Sequence, residues 1–448
     1  MIKYTRLFIT FLLAICILEA RSQSTATTSS PYSRYGIGDF DSQLFPQNIG
    51  MGGIATATNT IGGFNAINIV NPAAYGNINF TVIDAGFYSN SLTLSQSGFG
   101  SEKTSNTRLS HIAFAFPITR HSALGLGLVP YTELGYNYVQ SSPNCFGTSS
   151  PTDTNTVKYS YTGEGSLSKA YIGYGFGIGK HLTIGANASY IFGNLKEDQS
   201  TEIPTLSNFL NSRIEQDNHI GGFNFDYGTQ YTFDFSATKH LVFGYSASVG
   251  NKINVQNSFI VSQYYFDTNG NENVPTDSLI NRQNTKSKIQ LPWINHYGIS
   301  YQKEAAFESG ASYLIGVDYT TANWSNLSIG GVNAGLQNSR TINIGGQITP
   351  NPNALSNHLL VMSYQLGFIY EDTYLNINNT DIKKQAVTLG LGIPLPHDRA
   401  SSAFYKVNIS TEIGQRGTIA NGLVKENYVN FHLSFTLNDR WFQRYKFD

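Results

Sequence analysis

Charge is the first thing this sequence lacks. Of its 448 residues only 13% are Asp, Glu, Lys or Arg, against roughly 25% in an ordinary soluble domain. The formal net charge is −1, which leaves no electrostatic footprint for nucleic acid and no basic patch for anionic headgroups. Cysteine is nearly absent as well. Cys16 lies in an amino-terminal apolar stretch, and Cys145 stands beside Pro143 and Asn144 in a predicted loop. With one cysteine outside that stretch, an intrachain disulfide and a thiolate metal cluster are both excluded. Long apolar runs are missing too. Beyond residue 22 no segment offers the roughly 18 uninterrupted apolar residues of a transmembrane helix.

What the chain does have is glycine, aromatic residues and alternation. It contains 43 glycines, and Phe, Tyr and Trp make up 13% of it. Near the C-terminus Val429, Phe431, Leu433, Phe435 and Leu437 alternate with Asn430, His432, Ser434 and Thr436. A period of two gives a strand with one apolar and one polar face. The pattern recurs at Ile112, Phe114, Phe116 and Ile118, and again at Ile172, Tyr174, Phe176 and Ile178. Phe223, Phe225, Tyr227, Tyr231, Phe233 and Phe235 form another row, and so do Leu360, Met362, Tyr364, Leu366, Phe368 and Tyr370. About 14 strands are predicted, beginning near 80, 105, 122, 158, 182, 222, 241, 287, 311, 338, 359, 384, 403 and 426.

Residues 119–121, 179–181 and 236–240 read as tight turns, whereas 139–157, 194–221 and 255–286 read as long polar loops. Short connections alternating with long ones suit a closed barrel in an outer membrane, short inside and long outside. Such a barrel exposes only every second residue to hydrocarbon and keeps a low mean hydropathy, here −0.20. The expected fold is therefore all-β, a transmembrane antiparallel barrel of about 14 strands spanning 79–437, with both termini in the periplasm. Lys3, Arg6 and the apolar run from Leu7 to Leu18 predict a secretory signal over 1–22, with Ala20 and Ser22 as the small residues before cleavage. Histidines recur at the tight turns (His121, His181, His240, His358). They are expected to stay apart around the rim, at headgroup level.

Residues 23–78 do not alternate. They include Tyr32-Ser33-Arg34-Tyr35-Gly36, then Gly50, Gly52 and Gly53, then Asn71, Pro72 and Ala73. So many small side chains make poor material for a separate domain but suit packing inside a lumen, where glycine permits close backbone approach. A dinucleotide site at Gly50-x-Gly52-Gly53 is excluded, because no strand precedes it and no βαβ unit follows.

The small-residue run followed by Asn71-Pro72-Ala73 just before the first strand resembles the FadL-type family of outer-membrane hydrophobe transporters. The Ser33-Arg34-Tyr35-Gly36 opening and the Asn438-Asp439-Arg440-Trp441-Phe442 ending resemble its Bacteroidota branch, which also includes the type IX secretion barrel. The resemblance implies a 14-stranded barrel whose segment 23–78 plugs the lumen as a hatch. It also lends weight to Pro130, inside the third predicted strand. Proline cannot donate to the ladder, and a barrel has no edge to receive it, so a bulge or inward kink is expected there. By the resemblance, such a kink marks a lateral gate from lumen to membrane. Pro292, beside Trp293, is a second break, expected as an interfacial anchor.

No catalytic motif is present, and no enzyme activity or cofactor is expected. The run Asp267 to Glu272 is similar to a calcium loop. Its glycine is fourth rather than sixth and Ser278 holds the twelfth position, so a polar turn is expected. The tail 438–448 carries Arg440, Trp441, Phe442 and Arg444, which would serve either as an interfacial anchor or to dock a protein partner. Two functions are expected. One is passive uptake of a hydrophobic small molecule with lateral exit into membrane lipid. The alternative is a plugged structural subunit of an outer-membrane secretion or assembly complex, with an outer-membrane or periplasmic protein as partner.

Overall fold

The computed structural model describes residues 28–61, 64–143, 156–206, 209–267, 269–273, 278–305, 310–354, 357–396 and 403–441. The signal segment with Cys16, together with Cys145, Phe442 and Arg444, lies outside them.

Fourteen antiparallel strands form the wall. They are β1 Thr81–Gln96, β2 Ser101–Thr119, β3 Ser122–Pro143, β4 Thr156–Ile178, β5 Leu182–Glu202, β6 Asn211–Ser236 and β7 Lys239–Ser248 with Lys252–Phe266. Then come β8 Ile280–Gln290 with Ile294–Lys303, β9 Ser312–Ala322, β10 Ser339–Thr349, β11 Ser363–Ile377, β12 Thr380–Pro394, β13 Phe404–Gly417 and β14 Val424–Asp439. Each strand pairs with the next. β14 closes on β1 with Asp439 opposite Thr81 and Val424 opposite Gln96, so the sheet has no edge left at the seam.

Alternation places the apolar rows outside. Phe223, Phe225, Tyr227, Tyr231, Phe233 and Phe235 are all exposed, as are Val429, Phe431 and Phe435, while His432, Ser434 and Thr436 are buried inside. The belt ends at a defined register. Tyr190 pairs with Phe223 and Phe192 with Gly221, but Asn194 pairs with His219 and Lys196 with Asp217. Two neighbouring strands thus change from aromatic to polar at one level, where hydrocarbon gives way to water.

Three expectations fail here. The stretches 194–221 and 255–286 are mostly strand, not loop. At 26 residues β6 is far longer than the 9–11 that a membrane needs. Past Leu195 and Ile220, which still pack inward, residues 196–202 and 212–217 are part-exposed on both faces, so the pattern of alternation disappears while the hydrogen-bond ladder continues. The length asymmetry of the connections also stops after β10. On the long-loop side, β11 and β12 are joined by Asn378 and Asn379 alone, both at positive φ (51° and 57°), the conformation of a tight hairpin turn. Finally, β11 starts at Ser363, because His358–Val361 form a short helix capped by Asn357, whose side chain accepts from the Leu359 amide at 3.0 Å.

Candidate functional site

The chain before β1 lies within the lumen. Phe45 precedes the helix Pro46–Ile49 and stacks on His111 of β2, with ring centroids 4.0 Å apart. The helix ends in a loop with Gly52 at φ 72° and Gly53 at φ 80°, a conformation that favours glycine. This loop lies against glycines of the wall. Gly345 faces the Met51 carbonyl, Gly367 faces the Gly52 backbone, and Gly390 faces the Gly50 Cα, so a Cβ at any of them would collide with backbone. Asn71 then caps the 3-10 helix Pro72–Asn77, accepting from the Ala73 amide at 3.1 Å. The Pro72 carbonyl rests on Gly175 and Gly185, and the Tyr75 ring covers Gly125 and Gly173.

Hydrogen bonds tie this segment, expected to act as a hatch, to the wall around its circumference. Asp318 of β9 accepts from the amides of Ala55 and Thr56, both at 2.7 Å. The Thr388 hydroxyl of β12 accepts from the Gly52 amide at 2.8 Å and donates to the Gly50 carbonyl at 3.1 Å. Ser300 of β8 donates to the Ala57 carbonyl at 2.7 Å, and Gln230 of β6 to the Thr56 carbonyl at 3.0 Å. Asn187 of β5 donates to the Ile69 carbonyl at 3.1 Å, and Asn438 of β14 both accepts from and donates to the Asn65 backbone. Buried backbone groups that would otherwise be orphaned are satisfied in this way.

Pro130 sits at a break in the wall. β2 and β3 pair only from Ile112–Leu128 down to Thr119–Ser122. On the other edge of β3 the register shifts between Pro130 and Thr132, leaving Tyr131 as the extra residue of a bulge. From Tyr131 to Tyr136 every residue is buried, so β3 turns inward past the proline. The vacated edge is taken by the two-residue strand Asp39–Phe40, with Asp39 opposite Glu133 and Phe40 opposite Thr132. The Phe40 ring packs 4.1 Å from Trp324 and 5.3 Å from Tyr131. These residues belong to an apolar cluster with Tyr32, Ile37, Leu327 and Leu336 that fills the lumen farther out. Burial, with the nearby Glu426 carboxylate, pushes the Tyr32 phenol well above its ordinary value. Across the opening, Arg108 of β2 reaches Asp41 of the hatch at 2.8 Å and also Glu133 of β3.

Between the hatch and the outer cluster lies a chamber of about 360 Å3. Its walls mix ion pairs with apolar and aromatic side chains such as Phe40, Ile69, Trp324 and Ile369. Besides the Arg108 group, Lys384 binds Glu412 at 3.0 Å, Arg416 binds Asp39 at 2.7 Å, and Lys169 binds Asp226 at 2.7 Å.

The residues flagged in the sequence are thus partly gathered. Gly50, Gly52, Gly53, Asn71, Pro72 and Ala73 all lie in the segment that packs on the inner wall. Pro130 stands apart, at the β2–β3 opening. Arg440 and Trp441 fold back on the rim, the guanidinium 5.1 Å above Phe80 and the indole 6.0 Å from Phe116. Pro292 separates the two segments of β8, with Trp293 part-exposed beside it. Asp267 is held in a turn by the Asn271 and Asn269 amides at 2.8 and 2.9 Å, which keep its carboxyl below the usual range. Glu272 is instead engaged by Arg213 through two bonds, at 2.9 and 2.8 Å. No group of three metal-ligating side chains occurs among the described residues. The expectation that the turn histidines stay apart fails for one pair. His240 and His181 approach the two oxygens of Asp234, at 2.5 and 3.5 Å, because adjacent hairpins share that rim. The wall glycines, Asp318 and Arg108 were not singled out in the sequence. Their signal is a glycine or a charge on the inward row of a strand whose outward row is apolar, as in Leu314, Gly316 and Asp318.

The family model BamG matches residues 1–448. The chain belongs to the BamG family. Its structure is similar to the Pseudomonas putida toluene transporter TodX, with TM-score 0.56 and 13% identity over 92% of this chain and 100% of that one. A second solved structure, the CymD monoaromatic hydrocarbon channel, gives TM-score 0.53 and 12% identity over 89% and 98%. A Pseudomonas aeruginosa FadL homologue gives 0.51 and 12% over 91% and 100%. At such identities the likeness shows the fold, which is that of the FadL-type barrels. No curated protein matches the chain in sequence. Family and fold together place this BamG-family barrel in the bacterial outer membrane.

Proposed function

We propose that this barrel is a plugged structural subunit of an outer-membrane secretion or assembly complex. The observation that carries the reading is the seat of the hatch: glycine against backbone and polar side chains around the circumference, below a chamber lined by ion pairs. A hydrophobic solute crossing that chamber would strip water from its paired charges. Strands β3 to β8 rise well beyond the apolar belt while β9 to β14 are mostly shorter, which offers a partner one tall side of the barrel. The test is purification of the full chain from native outer membranes in mild detergent, with quantification of co-eluting proteins. A partner at fixed stoichiometry is expected. A solitary chain with a hydrophobic compound trapped in its lumen contradicts the reading.

One observation favours a second reading, the hydrophobe uptake that the family resemblance implies. The β2–β3 ladder stops at Ile112–Leu128 beside Pro130, and the similar TodX and CymD barrels are described as a toluene transporter and a monoaromatic hydrocarbon channel. In this reading a hydrophobic compound enters from outside and leaves through the opening into the bilayer. Overproduction would then sensitise cells to toluene, and Pro130→Val would remove the effect by restoring a ladder donor. No change in sensitivity on overproduction counts against it.

A further inference from the structure

We propose that the outward face of β7 and β8 binds the phosphate-bearing headgroup of an outer-leaflet lipid, whether or not the barrel has a partner subunit. The surface is built from Lys252 of β7 and Lys286 and Lys288 of β8. All three are exposed. Ile253, Val255 and Ile289, on the alternate positions, are buried in the lumenal apolar cluster. Successive side chains of a strand point to opposite faces, so the lysines point away from the barrel. Register brings them together. Lys252 stands opposite Gln290, Lys288 opposite Asn254, and Lys286 opposite Gln256. Lys252 and Lys288 are therefore diagonal neighbours, about 7–8 Å apart across the ladder.

The same ladder fixes their height. Asn254 pairs with Gly221 of β6, and Gln256 pairs with His219. Between those two residues of β6 the aromatic belt gives way to polar side chains. Lys288 thus stands at the edge of the belt and Lys286 one step above it, in the half of the barrel away from Thr81 and Asp439. Trp293, at the break in β8, lies against Gly250 just before Lys252, and tryptophan collects at headgroup level. The lysines are continuous with the surface that hydrocarbon covers, and this position favours a lipid over a soluble anion.

Nothing in the protein matches their charge. The three ammonium groups make no hydrogen bond or ion pair among the described residues, and the side chains opposite them are neutral amides. The cations of β5 and β6 near the same height are matched, Lys196 by Asp198 at 3.3 Å and His219 by Asp217 at 3.6 Å. Lysines held at a membrane surface attract anionic headgroups, and their N–H groups make charge-assisted bonds to phosphate oxygens. The amides of Asn254, Gln256 and Gln290 add neutral donors. The net charge of −1 conceals this patch, because it sums over faces that carry different charges.

The test is native mass spectrometry of the full chain in detergent after incubation with diphosphoryl lipid A or with its dephosphorylated form. Wild type is expected to retain the diphosphoryl lipid preferentially, even in excess inorganic phosphate. The variant Lys252→Gln/Lys286→Gln/Lys288→Gln is expected to reduce retention by about tenfold or more. Lys196→Gln, which removes an ammonium already matched by a carboxylate, is expected to retain the lipid as wild type does. Heat-dependent gel mobility checks folding. If the triple variant fails to fold, Lys288→Gln and the comparison of the two lipid forms still decide. The proposal is overturned if folded wild type retains both forms equally, if inorganic phosphate displaces the lipid, or if the folded triple variant retains it as wild type does. Lysines also guard exposed strand edges against pairing with other chains. A triple variant that keeps the lipid but self-associates would assign them that role instead.

Discussion

Gly345 of β10 and Gly367 of β11 face each other across adjacent strands, and the hatch backbone at Met51 and Gly52 lies on the pair. There is no room for a side chain on either residue. Gly367→Leu must therefore lift the hatch or distort the wall, at a cost of about 1–3 kcal/mol or more. A lower melting temperature and faster proteolysis within residues 44–78 are the expected results. Gly100→Ala, at a position with nothing within 4 Å and no positive φ, gives a control free of crowding.

Asp318 carries two hatch amides on one carboxylate. Asp318→Ala leaves the Ala55 and Thr56 N–H groups buried without an acceptor, costing about 1–3 kcal/mol for each. Asp318→Asn retains a carbonyl acceptor and is expected to lose less. Thermal unfolding of the two variants in detergent, side by side, measures the difference.

Much of the wall was legible in the sequence, because hydrocarbon writes its presence on alternate residues. The rows at Phe223–Phe235 and Val429–Leu437 face outward as their pattern requires. Where both faces are part-exposed, as in residues 196–202 and 212–217 of β5 and β6, composition says nothing about pairing, and strands read as loops. The hatch seat was half legible. Gly50, Gly52, Gly53 and the Asn71 cap stand out in sequence, but their counterparts Gly345, Gly367 and Gly390 are scattered over three strands, and only register brings them to one level. The Arg108–Glu133 contact follows from the inward turn of β3 after Pro130, a feature of three dimensions that no local spacing encodes.

Arg108 is the only base joining Asp41 and Glu133 across the β2–β3 opening among the described residues. Arg108→Ala strands two carboxylates in a part-buried site, and breaking such a group costs about 3–5 kcal/mol when it is well buried. Removing all three charges together, as Arg108→Met/Asp41→Asn/Glu133→Gln, is expected to recover most of that loss. Melting temperatures of the single and triple variants give the comparison.

The belt boundary makes its own prediction. Tyr227→Arg puts a charge near the middle of the apolar rows and should destabilise the inserted barrel by about 2–4 kcal/mol. Asn194→Arg, one step above the boundary on β5, should cost about 0–1 kcal/mol. Fractions inserted into phospholipid vesicles across a urea series distinguish the two.

Ion conductance of the purified barrel in a planar bilayer tests most directly whether the lumen is sealed. With the hatch seated on the wall glycines and held by Asp318, Thr388 and Ser300, wild type should insert without discrete current steps, while Gly367→Leu should admit current. Stable ohmic steps from wild type, unchanged in Gly367→Leu, would mean that the hatch does not close the barrel.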